Sequence, residues 1–294
     1  MPCRELPNPA GRHGSDSSRR GGTVREHTPS WHGFRLTVMM GLLTVLGSGT
    51  SVGVPAIGCQ CAVCLSDDAC DKRTRPSILL QFNGRSVVID TTPDFRFQAM
   101  RAGLRRLDAV LFTHSHADHI LGLDDVRPFN FHQKGEVPVY GSRKTIARIR
   151  HIFDYIFDDT YRFEGLPQIA THVVEGPLEL FGVTFAPVPL LHGSMEVLGY
   201  RFGQAAYLTD YSEIPESSYP LLEDLDLLFL DALRHEPHPA HCTVQQALEY
   251  VERLRPQRAF LTHIAHDLPH RQTNALLPEN VRLSYDGMQI EVEL

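Results

Sequence analysis

With 294 residues, 42% of them apolar, and a formal net charge of −7, the chain holds enough material to bury one large core, and its acidic balance argues against general nucleic-acid binding. The best export or membrane candidate, residues 36–46, falls far short of the roughly 20 residues that span a bilayer, and a signal-peptide cut after it would remove the strand leading into a glycine motif; the expected home is the cytoplasm. Of six cysteines, Cys59, Cys61 and Cys64 lie too close together for good disulfide geometry and read as metal ligands, while Cys3, Cys70 and Cys242 are expected as free thiols.

Residues 1–38 are rich in Arg, Gly, Ser, Pro and His and carry six arginines against three acids, which leaves about −10 for the remainder. They read as a disordered extension, or as the result of a start codon assigned too early, because Met39 or Met40 opens directly onto an apolar run at 42–46 that reads as the first strand. Residues 47–53 form a glycine-rich turn that lacks both the Lys-Ser/Thr ending of a phosphate loop and the G-x-G-x-x-G spacing. Cys59-x-Cys61-x-x-Cys64 then supplies three thiolates where a closed zinc site needs four ligands.

Residues 77–82 and 86–90 flank Asn83-Gly84, the pattern of a hairpin with a type I′ turn. Residues 94–103 read as a helix ending at a glycine. The apolar run 109–112 reads as a buried strand that delivers Thr113-His114-Ser115-His116-Ala117-Asp118-His119, four metal-competent side chains within six positions, ahead of a short helix at 120–123. Imidazole and carboxylate in this order suit zinc, manganese, iron or nickel.

A strand at 137–140 and a helix at 143–151 follow, then the aromatic and acidic residues 153–159, which read either as a lid or as packed structure. Three further strands each end in one metal-competent residue: 183–189 before His192, 205–209 before Asp210, and 259–262 before His263. A buried strand at 226–231 opens into a Pro- and His-rich loop carrying His235, His238 and His241, and Thr243 is placed to cap a helix over 244–253.

The histidine–aspartate string, together with Gly47-Ser48-Gly49-Thr50-Ser51, resembles the signature of the metallo-β-lactamase fold superfamily, and the likeness runs along almost the whole chain from about Met40. Gly53-Val54-Pro55 and Gly58-Cys59-Gln60-Cys61 with Cys64 narrow it to the phosphoribosyl cyclic phosphodiesterase branch of the carbon–phosphorus lyase pathway. The resemblance implies one hydrolase domain over residues 40–294, with an α/β (α+β in some schemes) four-layer αββα sandwich around two mixed β-sheets. It implies one divalent ion, zinc or manganese, on His114, His116 and His192, a second on Asp118, His119 and His263, and Asp210 as the bridge. It offers His266 as the fourth ligand of a structural zinc with Cys59, Cys61 and Cys64, a choice that local spacing alone would not make. It gives Asp90 the task of tethering the His-rich loop from behind. A histidine of the 234–243 loop is expected near the scissile phosphate; alignment by the following helix selects His241, with His235 and His238 open. Asp118 and His241 are the expected catalytic residues.

The implied reaction is hydrolysis of a small cyclic phosphate, such as phosphoribosyl 1,2-cyclic phosphate, by a metal-activated hydroxide. A small phosphorylated substrate is the implied partner, without stable nucleic-acid or membrane binding, and a homodimer is left open. A nuclease of the transfer-RNA processing type is disfavoured by the acidic body and the lack of a long basic Gly/Pro-rich arm. A non-hydrolytic protein resembling the pyrroloquinoline-quinone biosynthesis members is disfavoured by the complete ligand set. A β-lactamase is disfavoured by Asp rather than Cys at position 210.

Overall fold

In the computed structural model, which describes residues 39–158, 160 and 165–294, strands β1 (Met40–Gly47), β2 (Ser77–Phe82), β3 (Arg85–Ile89), β4 (Ala109–Leu111), β5 (Val137–Gly141) and β6 (Ile169–Val173) build one sheet. The second holds β7 (Leu178–Leu180), β8 (Val183–His192), β9 (Met195–Phe202), β10 (Ala205–Tyr207), β11 (Leu227–Asp231), β12 (Arg258–Thr262) and β13 (Val281–Leu283), and β14 (Gln289–Glu293) returns to the first sheet beside β1. Both sheets are mixed. β3 to β6 run parallel after the antiparallel β1, β2 and β3, and β10 to β13 run parallel after the antiparallel β8, β9 and β10.

The helices are α1 (Ala62–Leu65), α2 (Phe95–Arg101), α3 (Ala117–Ile120), α4 (Arg127–Gln133), α5 (Arg143–Ile152), α6 (Asp154–Phe157), α7 (Val244–Leu254) and α8 (His270–Leu276). Strand alternation decides which layer each side chain joins. Val87 and Ile89 of β3 face the other sheet, meeting Phe185, Tyr200 and Phe229. Val88 between them faces outward, into a core shared with Phe95 of α2, Phe129 of α4 and Ile149 of α5. On the far side, Leu228 and Leu230 of β11 pack with Val244, Ala247 and Val251 of α7. With both faces buried, central strands need apolar residues at every position, which is why they read as continuous runs. The result is the four-layer αββα order.

Local chemistry fixes the connections. Asn83 and Gly84 take φ of 46° and 71°, the type I′ geometry that turns β2 into β3. A capping box starts α7: Gln246 N–H donates to Thr243 Oγ1 at 3.1 Å and Thr243 N–H donates to Gln246 Oε1 at 2.9 Å. Gly122 is fixed by close approach, since a Cβ there would sit 1.9 Å from the Thr92 carbonyl oxygen.

Two expectations change, and one left open is narrowed. The short helix does not trail the His-rich string but starts inside it, at Ala117, because extended His116 serves as its N-cap; Asp118 and His119 therefore stand on α3. Cys70 is disulfide-bonded rather than a free thiol: it lies buried on the turn Ala69–Asp71, apart from the other three cysteines of its loop. Residues 153–158 carry a packed segment: Phe153 is buried and the Tyr155 hydroxyl donates to Asp124 at 2.6 Å. The expected extension 1–38, with Cys3, lies outside the described residues, as does Asp159. Cys242 is a free, buried thiol. Among the described residues, no helix is long and apolar enough to cross a membrane.

Candidate metal centre and active site

The C-terminal ends of β3, β4, β8, β10, β11 and β12 converge, the usual place for a site in open α/β sheets. Two groups of ligand-competent atoms match the expected sets, His114, His116, His192 and Asp210, and Asp118, His119, His263 and Asp210, and a third, Asp210, Asp231, His241 and His263, overlaps them; the atoms of each lie within 4.8 Å of one another. Asp210 belongs to all of them. Its Oδ2 is 2.9 Å from His119 Nε2 and 3.1 Å from His114 Nε2, and its Oδ1 is 3.3 Å from His263 Nε2.

The cluster has a charge deficit. Asp90, Asp118, Asp210 and Asp231 are all buried, and among the described residues their ion-pair partners are histidines, with no Lys or Arg. Buried carboxylates need a cation or a full set of donors. His114 Nε2, Asp118 Oδ2, His119 Nε2, Asp210 Oδ1 and His263 Nε2 are buried without a hydrogen-bond partner, although they approach one another closely. Such a set of donor atoms could hold divalent cations, and the imidazole–carboxylate chemistry fits zinc or manganese. Burial, before any other cause, holds His114, His116 and His192 below the ordinary imidazole pKa, so these rings stay neutral, the form that ligates a metal. Burial alone would raise the carboxyls of Asp118 and Asp210, but His119 beside the first and His263 beside the second hold both below the usual range.

Hydrogen bonds from behind set the rings. Asp90 Oδ2 accepts from His119 Nδ1 at 2.7 Å and from Thr113 Oγ1 at 2.8 Å, and its Oδ1 accepts from the Thr113 N–H at 2.9 Å. His119 is thereby left with Nε2 toward Asp118 and Asp210. His192 Nδ1 donates to the Ala240 carbonyl at 2.8 Å, joining β8 to the His-rich loop. The backbone is unusual at three of these positions: Asp90, Asp210 and His263 adopt φ of 66°, 60° and 58°. Left-handed conformations of non-glycine residues cost about 1–3 kcal/mol each and concentrate at functional sites.

His241 stands at the edge of this centre, its Nδ1 3.0 Å from Asp231 Oδ2 and 3.0 Å from Asp210 Oδ1. Burial would lower its pKa, yet the two carboxylates drive it up to about 10. Asp231, fully buried at the end of β11, also lies 3.7 Å from His263 Nδ1 and accepts the Tyr211 N–H at 3.1 Å. Sequence reasoning gave Asp231 no role, although it ends a buried strand as Asp210 and His263 nearly do. The His238 ring lies tilted beside that of His241, with centroids 4.8 Å apart, and neither His238 nor His235 enters a ligand group.

A second cluster lies apart from the first. His266 Nδ1 is 3.2, 3.4 and 3.5 Å from the sulfurs of Cys59, Cys61 and Cys64. Such edges suit a tetrahedron around zinc with Zn–S bonds of about 2.3 Å. The Cys64 N–H donated to Cys61 Sγ draws that thiol down to about 6, whereas burial pushes Cys64 up to about 11. The loop that reaches His266 starts at His263, so the two clusters share four residues of backbone.

The sequence pattern of the Beta-lactamase superfamily domain matches residues 85–264. An octanoyltransferase of Porphyromonas gingivalis (strain ATCC BAA-308 / W83) is 38% identical over 253 residues, 85% of this chain and 51% of that protein, so the chain spans about half the length of this curated relative. The crystal structure of a diphosphatase from the PhnP family is 52% identical, with a TM-score of 0.83 over 88% of this chain and 99% of that one. Zinc-bound PqqB from Methylobacterium extorquens, 20% identical with a TM-score of 0.66 over 85% and 99% of the two chains, shares the fold. The chain belongs to the metallo-β-lactamase superfamily, and within it to the PhnP-like branch.

Proposed function

We propose that the chain is a two-metal phosphodiesterase that opens a small cyclic phosphate such as phosphoribosyl 1,2-cyclic phosphate. The observation that carries this is Asp210 shared between two ligand groups, with His241 Nδ1 3.0 Å from the same carboxylate. His114, His116 and His192 would hold one ion, Asp118, His119 and His263 the other, and Asp210 both. Bound zinc or manganese would supply an activated water and neutralise charge on the attacked phosphate and the departing oxygen. Asp90 keeps His119 in the ligating tautomer through the Nδ1 hydrogen bond. His241 delivers a proton to the leaving oxygen from Nε2, with Asp231 holding Nδ1.

The 52% identity to a protein described as a diphosphatase favours a second reading, cleavage of a P–O–P linkage in a small diphosphate. Both bonds place a bridging oxygen opposite the attacking water, so the same residues serve either. Turnover of ribosyl 1,2-cyclic phosphate, 2′,3′-cyclic nucleotides, a bis-aryl phosphate, a nucleoside diphosphate and precursor transfer RNA separates the readings. The cyclic phosphate is expected to be the best substrate. Hydrolysis of the diphosphate alone would install the second reading, and cleavage of transfer RNA alone would overturn both.

Metal content checks the ligand sets independently of substrate. Protein purified without added metal is expected to carry about three ions per chain, following the ligand counts of two catalytic positions and one closed site. Cys61→Ser should lose one zinc and some stability while the other two positions stay partly filled. Two ions in both proteins by elemental analysis would remove the cysteine site.

A further inference from the structure

Arg73 belongs to neither ligand cluster, yet its side chain is completely buried, and four of its five N–H donors have partners. Nη1 donates to the Ala265 carbonyl at 2.9 Å, Nη2 to the Leu268 carbonyl at 2.6 Å, and Nε to the Cys70 carbonyl at 3.2 Å. Asp71 Oδ1, 3.2 Å from Nη2, supplies the counter-charge and accepts the His270 N–H at 2.9 Å. The Arg73 backbone is itself tied to the glycine–cysteine loop, exchanging two 2.8 Å hydrogen bonds with Val54.

The two carbonyls that Arg73 grips bracket His266, and Ala265 is two residues past His263. Other bonds complete the clamp: Ile264 N–H donates to Ser48 and Ala265 N–H to Leu233, at 2.9 Å each. Ala265 thus links the His-rich loop on its amide side to the guanidinium on its carbonyl side. A planar fork with fixed donors can hold two carbonyls at set directions; an ammonium cannot reproduce that geometry.

We propose that Arg73 is a positioning residue that couples the Cys59–Cys61–Cys64–His266 site to the catalytic centre, by fixing the segment between His266 and His263 so that occupancy of one site sets the ligand geometry of the other. The coupling rests on the metal-centre reading above. It assigns the cysteine cluster a part in the reaction beyond stabilising the fold, exerted through the shared backbone.

The test uses the full chain, stripped and reloaded with cobalt(II), whose thiolate charge-transfer band reports the cysteine site separately from the His/Asp centre. Wild type, Cys61→Ser, Arg73→Lys and the double variant are compared for metal affinity at the catalytic centre and for kcat and KM on a bis-aryl phosphate. Arg73→Lys should keep the thiolate band and a cooperative melt while catalytic-centre affinity and kcat fall about 10- to 100-fold, the usual effect of disturbing groups behind a ligand, with KM nearly unchanged. Cys61→Ser made in the wild-type chain should lower the same two quantities, and made on top of Arg73→Lys it should add little, because coupled residues give non-additive losses. Unchanged affinity and kcat in Arg73→Lys, or fully additive losses, would overturn the coupling. Should Arg73→Lys fail to fold, Cys61→Ser decides alone: loss of the cysteine-site metal with no change at the catalytic centre overturns the proposal. Wild type that binds no metal at the His/Asp centre would instead sink the reading beneath it.

Discussion

Asp210→Asn is expected to lower kcat by at least about 10²-fold, since even groups one shell removed from a metal are worth 10- to 100-fold, and Asp210 belongs to both ligand groups. Asparagine keeps the size of the side chain and one acceptor oxygen. What it loses is the negative charge, and its amide N–H₂ would face imidazole nitrogens now about 3 Å away. Both ions should therefore bind weakly. Two measurements check this beside the rate: elemental analysis of the purified variant, and the rise in Tm on adding zinc, which a ligand bound only to the folded state produces in proportion to its affinity. Wild type should gain stability with zinc in two phases, one for each kind of site, and the variant should keep only the phase due to the cysteine cluster. A variant with full metal content and wild-type kcat would show that Asp210 is not shared between two ions.

His241→Ala should have an effect that depends on the leaving group. An alkoxide released from a cyclic ribosyl phosphate needs a proton as the P–O bond breaks, and general acid catalysis contributes roughly 10² to 10⁴ in rate. A phenolate departs unaided, so a bis-aryl phosphate should be affected far less. The position of His241 supports the assignment: Nδ1 is taken by Asp231 at 3.0 Å, which leaves Nε2 as the proton-bearing nitrogen available to substrate. Asp231→Asn should echo the pattern at smaller amplitude, because it weakens the orientation of the ring without removing it. Metal content must be followed in both variants, as His241 also lies 3.0 Å from Asp210. Equal losses on the two substrates with metals retained would mean that His241 positions the phosphate or balances charge; no loss on either would move the search to His238 and His235.

How much of this was legible beforehand depends on where each residue draws its meaning. His114, His116, Asp118 and His119 were visible because they are close in sequence and follow a buried apolar run. His192, Asp210 and His263 were visible only as a set, each being one polar residue after an apolar strand. Asp231 is placed like them, but no companion in the sequence marks it; its importance comes from two histidines brought beside it by β12 and the loop before α7. Arg73 gave no signal, since it sits among Asp71, Lys72 and Thr74 in what reads as a polar surface loop, and only tertiary packing buries it. Several strands were also missed. β9 contains Gly199, which weakens the strand pattern, yet a Cβ there would come within 2.4 Å of Leu208; the glycine serves sheet packing rather than a turn. β7 and β13 are three residues long, too short for alternation to register.

The left-handed backbone at Asp90, Asp210 and His263 narrows the residue alphabet before any metal chemistry is considered. Side chains that enter this region with little strain are those of Gly, Asn, Asp and His. Among groups that can give oxygen or nitrogen to a divalent ion, aspartate and histidine pass this filter, while glutamate carries a longer stem and no such tolerance. At Asp210 and His263 main-chain shape and ligand identity are thus specified together, and at Asp90 the same filter selects the carboxylate that holds His119; asparagine passes the backbone filter at all three, but at Asp90 and Asp210 it fails on charge.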